Sequence, residues 1–174
     1  MKIQQPGAHY DHMLRQTRIH HVQLSSMADI KANMLLTMSS LVVTLCAPAT
    51  MNPSLRSAAV VLMAFSLATV VLAVYAVMPK LPLTFREGAD ADHKSPMFNL
   101  LFFGDFVRMP YADFEKSMEE ILNDPSRAYE AQVREIYTLG LFLATKKYRF
   151  LRLAYLTFLS GLLASGFALA TVEF

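Results

Sequence analysis

Basic side chains crowd at Lys146, Lys147, Arg149 and Arg152, directly before a long apolar run. Ammonium and guanidinium groups this close together can hold an anionic ligand through charge-assisted hydrogen bonds. The same cluster can stop a membrane helix at the lipid head groups, as the positive-inside rule describes. A second set of charges, Asp29 and Lys31, precedes another apolar run. Residues two apart do not face each other on a helix, so these two cannot neutralise one another. Each is expected to pair with another helix, a second subunit or a ligand. The alternative is a head-group anchor, since Lys snorkels readily. His9 and His12 are three apart, and His20 and His21 are adjacent. No carboxylate constellation completes a metal site around them, so they are assigned to a helix surface. The chain has no phosphate-binding P-loop, no G-x-S-x-G, no H-E-x-x-H and no paired-cysteine motif. No catalytic residue, metal or cofactor is expected, and the chain does not read as an enzyme.

Three apolar runs must position these charges: residues 34–51, 57–78 and 153–172. None contains Lys, Arg, Asp, Glu or His. One helical crossing of a bilayer takes about 17–25 predominantly apolar residues, so each run is long enough. Hydrophobic residues make up 54% of the 174, and mean hydropathy is positive. That is more than an ordinary soluble domain of this size carries. The expected fold class is all-α, an integral membrane protein with three transmembrane helices. The first run starts well past a signal-peptide position and is read as a retained span. Cys46, the only cysteine, lies inside it, so no intramolecular disulfide is possible. There is no Trp, so any aromatic belt comes from Tyr and Phe.

Orientation follows from charge. With the N-terminus cytoplasmic, 15 of the 16 Lys and Arg residues lie inside and only Arg56 lies outside. The C-terminus is then outside. Within the spans, Gly161 and Ser165 are four apart, a spacing of small residues that lets membrane helices pack closely. Span hydroxyls could alternatively line a wet pore.

The stretch 9–33 has no Pro or Gly and carries apolar or small residues at helical spacing, so it reads as a cytoplasmic helix running into the first span. That helix should break near Pro48, with an outer turn at Asn52-Pro53. Residues 80–152 form a cytoplasmic loop and helices. Within them, 80–96 reads as a loop, while 99–108 is apolar but too short to span, and periodicity leaves its structure open. Pro110 is expected at the first position of a helix ending at Leu122. Residues 123–126 (Asn-Asp-Pro-Ser) end it and cap one long helix from Ser126 to Val172. The two long helices can pack in parallel as a helical stalk below the spans. Residues 1–174 thus read as a single membrane domain.

Three stretches together carry a resemblance: Ala28-Asp29-Ile30-Lys31-Ala32, the 99–104 stretch NLLFFG, and the 136–155 stretch IYTLGLFLATKKYRFLRLAY. The chain resembles the transmembrane effectors of the Pycsar antiphage system, the PycTM-type family, over nearly its whole length. The resemblance implies a bacterial inner-membrane effector. A neighbouring cyclase makes cyclic CMP or cyclic UMP on infection, and the nucleotide triggers membrane impairment and abortive infection. On that reading Lys146, Lys147 and Arg149 hold the phosphate, and Tyr148 or Tyr137 helps hold the base. Asp29 and Lys31 match the family element and are expected to act in gating. Three spans enclose a path only by assembling, so a homo-oligomer in the lipid bilayer is expected, with no nucleic-acid polymer as partner. The competing readings are a non-enzymatic membrane anchor or scaffold, and an ion-channel subunit gated by another signal.

Overall fold

The computed structural model describes residues 7–78, 98–107 and 109–171. The expected loop at 80–96, Arg108 and the end of the third span at Val172 lie outside the described residues. Every element among the described residues is helical: α1 (Ala8–Ala49), α2 (Arg56–Val77), α3 (Phe103–Phe106), α4 (Tyr111–Leu122), α5 (Pro125–Phe142), a π-helical turn (Leu143–Lys147) and α6 (Tyr148–Ala170). Three helices are long and apolar enough to cross a membrane: Ala8–Ala49, Arg56–Val77 and Pro125–Ala170.

Prolines set several of the ends. Pro48 lies in the last turn of α1, which stops one residue later at Ala49. The next turn closes on Asn52, whose Oδ1 accepts from the Ser54 backbone N–H at 3.1 Å and from its hydroxyl at 2.8 Å. Met78 has ψ 127°, the extended conformation a succeeding proline imposes, and α2 ends there. Pro110 does not occupy the first helical position. Its ψ of 142° makes it the cap residue before α4. Pro125 takes the first position of α5 instead, with Asp124 Oδ1 accepting from the Ser126 N–H at 2.9 Å.

The chain divides into two compact units. Unit 1 comprises 1–23 and 79–142. In it the start of α1 meets α5, through Arg18 Nε to Glu135 Oε1 at 3.0 Å and through His21 facing Gly140. The rising residue numbers on both helices make them parallel. Burial holds the Glu135 carboxyl above its ordinary range, although the Arg18 charge pulls the other way. A hydrogen bond to Asp11 keeps the buried Tyr129 phenol above its usual range. Of the segment expected at 99–108, the described residues 99–107 form a hydrogen-bonded turn leading into α3. Buried Asn99 receives the Leu101 N–H on Oδ1 at 3.0 Å, donates its own N–H to Asp105 at 3.0 Å, and reaches Thr138 through Nδ2 at 3.2 Å.

Unit 2 comprises 24–78 and 143–174. Its core is a seam of small residues. Ala28 and Ala32 meet Leu151, and Leu35 and Ala73 meet Ala154. Alanines let the helix backbones approach closely, which is how membrane helices gain packing energy without a hydrophobic drive between them. Helices α2 and α6 run antiparallel: Phe65 lies over Gly161, and Ser165 Oγ donates to the Ala58 carbonyl at 3.1 Å. Thr37, Thr44 and Thr69 each donate to the carbonyl four residues back. Those hydroxyls are satisfied within their own helices and need no water-filled path.

The expected uninterrupted helix from Ser126 carries one correction, the π turn at Leu143–Lys147. Such a turn holds one residue more than an α turn and shifts the phase of the helix beyond it. Leu143 and Lys147 both become buried, and a lysine is thereby carried inward.

Candidate functional site at the membrane entry

On α1, Ser25, Ala28, Asp29 and Ala32 recur at the spacing of one helix face. The face they present is apolar except at Ser25 and Asp29. Lys147 comes onto it from the π turn. Its Nζ donates to Asp29 Oδ2 at 2.7 Å and to Ser25 Oγ at 2.7 Å. Only 10% of the Lys147 side chain is exposed, against 41% of Asp29. The second carboxylate oxygen, Asp29 Oδ1, is shielded and has no hydrogen-bond partner among the described residues. A buried carboxylate oxygen without a donor raises the free energy of the folded arrangement. The pair is therefore short and shielded on the Lys147 side, with one carboxylate oxygen left unpartnered among the described residues.

Neighbouring residues tighten the contact. Tyr148 O–H donates to the Leu24 carbonyl at 3.0 Å, and Tyr155 O–H to the Lys31 carbonyl at 3.4 Å. The Lys31 side chain is exposed. Of the basic cluster, Lys147 turns inward and Tyr148 is committed to α1, while Lys146, Arg149 and Arg152 remain exposed. Tyr137 is exposed and belongs to unit 1, whereas Lys146, Lys147, Tyr148 and Arg149 belong to unit 2. Gly161 and Ser165 are used in packing against α2 of the same chain.

Residues 12–172 match the family described as Pycsar effector protein domain. The chain belongs to this family. No curated protein and no solved structure matches it. Membership makes the protein an effector of antiphage defence, and its three apolar helices make it a membrane one. The matched region holds the whole entry site of this Pycsar effector, from Ser25 to Tyr155.

Ser25 was not legible as a member of the effector's site, because a serine beside a second one, Ser26, in a polar helix carries no signal of its own. Its position could have been found from spacing. It lies four residues before Asp29 and three before Ala28, on the face that the small residues mark as a seam.

Proposed function

We propose that this Pycsar effector impairs the bacterial inner membrane when a cyclic pyrimidine mononucleotide, cCMP or cUMP, is made by a neighbouring cyclase. The observation that carries this reading is the family match over residues 12–172, and the element the nucleotide would act on is the Lys147–Asp29–Ser25 contact, a shielded charge pair in an alanine seam where the apolar segments begin. Such a pair is costly to break from one side, so it holds a resting state in place. Asp29 Oδ1 has no partner among the described residues, so a rearrangement costs that oxygen no hydrogen bond. The nucleotide acts by binding the rearranged state better than the resting one. Conduction or leakage then arises from several copies assembled together, since three spans make a path only by assembling. The protein works without turnover. The basic asymmetry supports a cytoplasmic N-terminus, with the exposed Lys146, Arg149 and Arg152 at the inner head groups.

The test is propidium uptake by cells expressing the effector, with and without a cyclase that supplies cCMP or cUMP. Uptake should require both proteins, and Asp29→Asn should shift the nucleotide dose at which it begins. Cells that exclude the dye at every dose would contradict the reading.

A further inference from the structure

Unit 1 holds a cleft of about 340 Å³ that the entry site does not use. It lies between α4, α5 and the segment at 98–100. Ligand sites commonly occupy about 300–1,000 Å³. This one is at the small end, the size of a single nucleotide and too small for a dinucleotide.

Its chemistry is mixed. Arg127 and Arg134 contribute two cations, and Glu120 and Glu130 two anions. Arg127 pairs with Glu120 at 2.8 Å and Asp124 at 3.8 Å, and both Arg127 and Glu120 are more than half exposed. Arg134 reaches Glu130 at 3.3 Å and the Phe98 carbonyl at 3.4 Å, both long contacts. Exposed pairs of this kind are weak. A guanidinium has five donors in a planar fork and suits a phosphate bidentately, so a phosphate can compete for it. The glutamates oppose a polyanion, but the exposed Glu120 carboxylate can accept a hydrogen bond from the amino or imide N–H edge of a pyrimidine. Phe98 lines the cleft and is its one aromatic residue among the described residues, the side chain there on which a base could stack. The next residue, Asn99, is 3% exposed and bonded to Thr138 and Asp105, which fixes the backbone at this edge of the cleft.

We propose that this cleft, rather than the basic cluster before the third span, binds the cyclic pyrimidine mononucleotide. Arg134 and Arg127 take the single phosphate charge, Phe98 stacks on the ring, and Glu120 reads its N–H edge. The assignment rests on the reading of the protein as a nucleotide-activated effector. In the basic cluster Lys147 and Tyr148 are engaged by α1, which leaves Lys146 and Arg149 as the groups there that a ligand could use.

The test is equilibrium dialysis of radiolabelled cCMP and cUMP against the full-length effector in phospholipid nanodiscs. Arg134→Ala should lose at least tenfold in affinity. Ala131→Phe keeps both arginines, fills the cleft from its α5 wall and should lose binding as well. The Lys146→Ala/Arg149→Ala double variant should bind as the wild type does. Melting curves establish that each variant is folded, and Ala131→Phe decides the matter if Arg134→Ala is not. If the wild type binds and the cleft variants bind equally well, or if the Lys146/Arg149 variant alone loses binding, the cleft is excluded while the functional reading stands. If the wild type binds neither nucleotide, both are overturned.

Discussion

An ammonium that is only 10% exposed must have its charge answered nearby, and at Lys147 the answer is Asp29. Breaking a buried pair from one side typically costs about 3–5 kcal/mol. Asp29 keeps 41% of its side-chain surface, so Asp29→Ala is expected to cost nearer 2 kcal/mol, roughly half that range. Removing both charges, as Lys147→Met with Asp29→Ala, should restore most of the loss, because no uncompensated charge is then left inside. Thermal unfolding in detergent measures both. A double variant as unstable as Asp29→Ala alone would show that the two do not act as a pair. The need of Asp29 for a partner is visible in the sequence, because Lys31 at two residues' distance cannot face it. The partner's identity is not. Lys147 stands in a basic cluster whose members look alike in sequence, and only the π turn decides which of them points inward.

At the scale of elements, close packing concentrates where α6 crosses α2. A Cβ added at Gly161 would overlap Phe65, so the glycine is required by the approach of the two helices. Gly161→Leu should destabilise the chain by about 1–3 kcal/mol, the usual cost of overpacking. Phe65→Ala in the same chain should relieve part of it. Unfolding curves of the single and double variants check this, and an unchanged midpoint for Gly161→Leu would show that the helices do not meet there. The spans are legible in the sequence because unbroken apolar runs have few alternatives. The segment at 99–108 is not. Its turn depends on Asn99 bonding Thr138, 39 residues away, and local periodicity carries nothing of that contact. The π turn escapes for a similar reason. Leu143–Lys147 has an ordinary helical composition, and its extra residue is stabilised by the tertiary contact that Lys147 makes.

At the scale of the whole molecule, the all-helical class and three candidate spans follow from hydropathy, and membership of the Pycsar effectors follows from the chain as a unit. The cleft in unit 1 was not legible, because Arg127, Glu130 and Arg134 read in sequence as ordinary charges on a solvated helix. Orientation rests on the 15-to-1 distribution of basic residues. In a Cys46→Ala background, Ser54→Cys should react with an impermeant maleimide added to intact spheroplasts, and Ser117→Cys should not. The opposite labelling would invert the topology. On the proposed function, a cyclic pyrimidine mononucleotide alone converts the resting protein into one that breaches a bilayer. The most direct test of this is release of a trapped dye from liposomes containing only the purified effector. Addition of cCMP or cUMP should release the dye in a dose-dependent way, and cyclic AMP should release far less. Intact liposomes at saturating concentrations of both pyrimidine nucleotides would contradict the account.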